Sequence, residues 1–148
     1  MSQFSTYFQL GVNHILDLGG YDHILFVIVL CALYTPSEWK KIVILVSSFT
    51  LGHSITLALA TLNILRFSEE IIEFCIPLTI LITAFSNIIK PKSSTKMIQI
   101  NYFLAGGFGL IHGMGFSNYL RALLGKEQSI LEPLLAFNLG LELGQLVI

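Results

Sequence analysis

The chain has 148 residues, 54% of them hydrophobic and 11% charged, with a formal net charge of -1 and a mean hydropathy of +0.77. Soluble domains carry about 25% charged residues, so this composition excludes an ordinary water-soluble globule and points to the bilayer as solvent. The charge balance excludes a basic face for nucleic acid, and the 2 distant cysteines, Cys31 and Cys75, leave no basis for a disulfide framework or a thiolate zinc finger.

Met1 to Gln9 lacks the basic region and small-residue cleavage site of a secretory signal. Phe4 to Leu18 has helical character, with Phe4, Phe8, Val12 and Ile15 on one side and Tyr7, Leu10, His14 and Asp17 on the other. Gly19 and Gly20 end it, which predicts an interfacial or re-entrant helix within residues 1–19. Five apolar spans follow, at about 20–35, 42–62, 71–89, 102–124 and 133–148. Pro36, Ser37 and Glu38 close the first, and Lys90, Pro91 and Lys92 close the third. Spans two, three and four reach the roughly 20 residues that a bilayer requires. The first is short and crosses only if Asp22 and His23 are drawn to the interface. The fifth is still apolar at Ile148, which predicts further helices beyond it. The expected fold is therefore all-α: a single polytopic transmembrane helix bundle over 1–148, with an N-terminal interfacial helix.

Loop cations set the orientation. Lys40, Lys41, Lys90, Lys92 and Lys96 follow spans one and three, whereas Arg66, Arg121 and Lys126 follow spans two and four. The excess places the first group in the cytoplasm and the N-terminus outside.

Ionisable residues inside a span cost roughly 2.5 to 3.5 kcal/mol each and tend to mark ion or substrate paths. Here they are His53, His112 and Glu142, with Asp22 and His23 opening the first span and His14 and Asp17 just upstream. Counting from the outer helix ends, His53 lies roughly 14 Å in, His112 about 12 Å and Glu142 roughly 14 Å. Matched depth predicts a midplane site of His53, His112 and Glu142, below an outer site of Asp22, His23, His14 and Asp17. Asn138, Glu142 and Gln145 form one polar stripe, and Thr50, Ser54 and Thr61 form another beside His53 and Thr56. Thr79, Thr83 and Ser86 are expected to face the same interior. Gly106, Gly109 and Gly113 make a ridge on which a neighbouring helix can approach closely.

Imidazole and carboxylate donors without a thiolate pair suit nickel, zinc, cobalt or copper(II). Plainer roles compete for each residue. Asp22 caps a helix in one reading, His14 and Asp17 are solvated, and the hydroxyls bond back to their own helices. The glycine ridge is packing whatever the function.

Gly20-Tyr21-Asp22-His23-Ile24-Leu25-Phe26 resembles the GxDHxLF signature of the HupE/UreJ family of membrane proteins. Gly52-His53-Ser54-Ile55-Thr56, Gly109 to Phe116 and Phe137 to Glu142 resemble that family's helices in the same order. The resemblance implies a permease-like protein that supplies nickel to hydrogenase or urease, in a bacterial inner membrane. It implies metalloenzyme-maturation partners, and a homo-oligomer is an open alternative. The family's His-x5-Asp-His motif is departed from here, since seven residues separate His14 from Asp22, so the carried-over ligands are Asp22 and His23.

The function expected is uptake of a divalent transition metal, nickel preferred. Asp22 and His23, with His14 and Asp17, would collect the ion. His53, His112 and Glu142 would pass it on, with Asn138, Gln145, Thr50, Ser54 and Thr56 along the path. Two alternatives use the same residues: an intramembrane zinc hydrolase with Glu142 as general base, and a non-catalytic assembly or scaffold subunit.

Overall fold

The computed structural model describes residues 2–89, 95–124 and 130–148. Lys90, Pro91, Lys92 and Lys126, on which the end of the third span and part of the orientation count rest, lie outside the described residues. Among the described residues the fold is all-α, with helices α1 (Gln3–Leu16), α2 (Asp22–Cys31), α3 (Trp39–Thr61), α4 (Glu69–Ile89), α5 (Thr95–Gly115), α6 (Ser117–Leu124) and α7 (Leu131–Val147).

Local chemistry sets several of these ends. The Ser2 side chain accepts the Ser5 amide and caps α1. The Asp17 carboxylate accepts the Gly19 N–H at 2.8 Å, which holds the tight turn Leu18–Gly20 and separates α1 from α2. Before α3, Thr35 and Glu38 form a reciprocal capping box with Pro36 at the first position, the arrangement that satisfies two orphan donors at once. Lys41 donates to Glu38 at 2.6 Å, and this bond, with the Thr35 amide, holds the Glu38 carboxyl down at about 2. A depressed carboxyl contributes stability above its ordinary value of 4.5 and loses it as pH falls towards 2. Trp39, the 1 tryptophan of the sequence, follows this turn directly. Its fluorescence is therefore expected to stay constant from neutral pH to about 4.5 and to change only below that.

Three boundaries differ from the sequence expectation. The span at 20–35 yields a helix of only 10 residues, about 15 Å long, because the chain turns after Cys31, with the Tyr34 amide donating to the Cys31 carbonyl. The span at 102–124 is two helices broken at Phe116, where the Ser117 hydroxyl donates to the Met114 carbonyl. Its first helix begins at Thr95, earlier than apolarity alone indicates. The N-terminal helix buries Tyr7, Gly11 and Ile15, a stripe that matches neither side picked out by its large apolar residues.

Two helix pairs form the frame, and glycine makes both. α1 packs on α7 with Gly11 against the backbone of Phe137 and Leu141, and Gly140 against the backbone of Phe8 and Val12. α3 packs on α5 in the same manner, Gly52 against Gly106 and Leu110, and Gly109 against Phe49 and His53. At each of these four glycines an added Cβ would overlap a carbonyl of the facing helix. Gly106 itself is looser, 3.5 Å from the Ser48 carbonyl. One apolar core surrounds Ile15, Leu57, Phe137 and Leu141; a second surrounds Phe26, Leu45 and Phe49.

The outward faces are apolar as well. Ile71, Phe74, Leu81, Ile82, Phe85, Ile88 and Ile89 of α4 are all exposed, a surface that a soluble monomer rarely presents. Two helical stretches, Pro36–Thr61 and Glu69–Ile89, are long and apolar enough to cross a membrane.

Candidate metal centre

Four imidazoles from four helices meet where the two glycine-packed pairs come together. His14 ends α1, His23 begins α2, His53 lies within α3 and His112 lies near the end of α5. Ring centroids are 4.6 Å apart for His14 and His23, 5.3 Å for His23 and His112, and 6.2 Å for His14 and His53. The ligating atoms of His14, His23 and His53 all lie within 4.8 Å of one another. Two ligands on one ion at 2.0–2.1 Å sit at most about 4.2 Å apart, so a small ring rotation would bring these nitrogens onto a single cation.

The imidazoles are buried: His53 is fully enclosed and His112 is 1% exposed. Phe26 and Phe49 pack against His112 at centroid distances of 5.0 and 5.2 Å. Phe116 lies 4.0 Å from His14, and Phe137 flanks both His14 and His53. Within this aromatic shell His14 Nε2, His23 Nε2 and both nitrogens of His53 have no hydrogen-bond partner among the described residues. A buried polar atom left unsatisfied costs about 1–3 kcal/mol, and these three rings carry four such atoms.

His112 is held differently. Its Nε2 lies 3.1 Å from Thr79 Oγ1, and the Thr79 hydroxyl donates its single proton to the Ile76 carbonyl at 2.7 Å. Thr79 can then only accept, so Nε2 carries the proton and the bare lone pair is on Nδ1. Nδ1 is buried and unpartnered. A hydrogen bond that fixes the tautomer and aims the other nitrogen is what orients metal-ligating histidines.

The remaining expected residues fall into separate groups. Glu142 accepts a hydrogen bond from Ser47 at 2.5 Å, while the grouped ligand atoms are those of His14, His23 and His53. Depth counting gives a level and not a direction: groups at one level can point different ways around a bundle, and α5 ends at Gly115. Gln145 accepts from Thr50 at 2.7 Å, so Ser47, Thr50, Glu142 and Gln145 form a polar seam between α3 and α7. Asn138 donates to the Leu134 carbonyl at 2.8 Å, Ser54 to the Thr50 carbonyl at 2.7 Å, and Thr56 to its own helix. Gly113 abuts the His53 carbonyl, so the ridge sets the height of that imidazole as well as the packing. Thr79 and Thr83 are buried inside the bundle as expected, and Ser86 is half-buried.

Asp17 and Asp22 line a cleft of about 480 Å³ that reaches His14, His23 and His112. Glu69 and Glu73 of α4 line the same cleft. Their four-residue spacing at the head of an apolar helix is a signal visible in the sequence.

A model of the family described as HupE / UreJ protein matches residues 1–148. No curated protein and no solved structure matches the chain.

Proposed function

The chain belongs to the HupE/UreJ family, and from that premise we propose that it is a membrane carrier for a divalent transition metal ion, nickel by preference. The observation that carries the reading is the group of three histidines on three helices whose ligand atoms lie within 4.8 Å of one another, each with an unpartnered buried ring nitrogen among the described residues. Imidazole donors favour nickel, zinc, cobalt and copper over magnesium or calcium. Neutral rings also accept a cation without adding charge to an apolar interior. His14, His23 and His53 hold the ion in this reading, and His112, aimed by Thr79, offers a fourth nitrogen for hand-over. Glu142, against Ser47, stands as a separate station along the α3–α7 seam.

The exposed apolar faces of α4 and its neighbours support a bilayer setting in which α2, α3, α4, α5 and α7 cross or enter the membrane. The N-terminus is external in this arrangement, so the acidic cleft opens outwards. The sequence carries no nucleotide-binding glycine loop, and transport then draws on the membrane potential or on proton exchange.

The test is nickel uptake into proteoliposomes, together with elemental analysis of the purified chain, for the wild type and the His23→Ala/His53→Ala variant. Exchangeable nickel and time-dependent uptake, both lost in the variant, are expected. Stoichiometric zinc that survives dialysis, with no uptake, would replace the carrier by an intramembrane hydrolase. Wild-type levels of uptake in the variant would falsify the assignment.

A further inference from the structure

The carboxylates of the cleft have a property that the imidazole cluster lacks. Asp17 and Asp22 line it from the α1–α2 turn, and Glu69 and Glu73, one helical turn apart, line it from α4. Among the described residues no lysine or arginine forms an ion pair with any of them, the recorded pair being Lys41 with Glu38. Glu69 accepts from the Asn118 amide, and one Asp17 oxygen accepts the Gly19 N–H. Four acidic groups thus share one mouth, and the cation linked to it among the described residues, Arg121, reaches Glu69 only through Asn118. The floor of the same cleft is polar and waiting: His23, nine-tenths buried, lines it with an unpartnered Nε2, and His112 lines it with an unpartnered Nδ1.

We infer that Glu69 and Glu73, with Asp22 and Asp17, form an outer carboxylate station that captures hydrated divalent cations before the imidazoles select among them. The inference rests on the reading of the chain as a metal carrier and adds the order in which selection is made. Carboxylate oxygens suit hard ions such as manganese and calcium, which buried imidazoles do not favour, so the mouth sorts chiefly by charge. Buried imidazoles accept only ions that exchange water for nitrogen, so the inner cluster sorts by ligand preference. A cleft lined by one sign of charge also raises the local cation concentration and can speed association by about 10 to 1,000-fold at low salt. Manganese is then a blocker that occupies the mouth and does not pass.

The experiment uses the full chain in detergent or nanodiscs and follows nickel association by stopped flow, with manganese as competitor. Glu69→Gln keeps an acceptor for Asn118, and Glu73→Gln is nearly isosteric, so neither threatens the fold. The double variant is expected to bind nickel about tenfold more slowly at low salt, with the deficit shrinking as salt screens the mouth, and with the final nickel per chain unchanged. Manganese competition should weaken in parallel, and Glu73→Gln alone should show part of both effects. Glu70→Gln, which removes the same charge from α4 outside the cleft, should behave as wild type. An unchanged rate and unchanged manganese competition in the double variant would overturn the outer station, while loss of nickel in His53→Ala would leave the carrier reading standing. A wild-type chain that takes up no nickel at all would sink the carrier reading itself.

Discussion

Replacing His53 by alanine is expected to weaken nickel binding by more than about 100-fold, with little change in helix content. His53 is fully buried and neither of its ring nitrogens has a hydrogen-bond partner among the described residues, so its side chain makes no polar contact there that the fold would miss. As a ligand it contributes directly to the ion. Loss of an outer partner alone typically costs 10 to 100-fold in metal affinity, so about 100-fold is a floor for a direct ligand. Thr79→Val supplies the graded comparison. It removes the acceptor that aims His112, and a loss of about tenfold is expected in binding or transfer. Glu142→Gln is expected to leave equilibrium binding within about tenfold, because its partner is Ser47 and not an imidazole. Isothermal titration of the three variants decides among them. If Glu142→Gln were as damaging as His53→Ala, the metal would be held by the set read from helix depth, not by the imidazole group.

The second large effect is predicted where no polar atom is involved. Gly109→Ala places a methyl group on the Phe49 carbonyl across the α3–α5 contact, and the helices must separate or shift to admit it. Overpacking of this kind costs about 1–3 kcal/mol, against which the gain in helix propensity returns roughly 0.5–1 kcal/mol. The consequence for function should exceed the consequence for stability. His53 and His112 project from the two helices being parted, and a displacement of about 1 Å is enough to spoil a preorganised site. A fall of tenfold or more in nickel affinity is expected, together with a lower unfolding temperature. Gly107→Ala is the control on the same helix, since an added Cβ there meets nothing within 4 Å; it should be neutral or slightly stabilising. Titration and thermal unfolding of the two alanine variants would separate a packing ridge from a run of small residues without consequence.

The composition determined the class. With 11% charged residues and apolar runs of bilayer length, helices, which satisfy their own backbone polar groups, were the expected elements. The motifs around His23, His53 and His112 pointed to the family that the family model shows, and the cost of placing imidazoles among apolar residues singled them out as candidates. The glycine ridge was legible too, since small residues at helical spacing have few uses other than close approach. Two matters were decided only by the tertiary structure. The first is which polar groups meet: periodicity gives height along a helix and the direction of a face, but not the neighbour that the face finds, so the Ser47 partner of Glu142 could not be read from spacing. The second is the part played by the N-terminal helix. Its buried stripe runs through Gly11, which has no side chain for a hydropathy pattern to register, and the Gly11–Gly140 crossing joins segments about 130 residues apart in the chain. That crossing brings His14 beside His23 and His53. A contact whose basis is the absence of a side chain, made between opposite ends of the sequence, leaves no local trace to read, and here it completes the imidazole group.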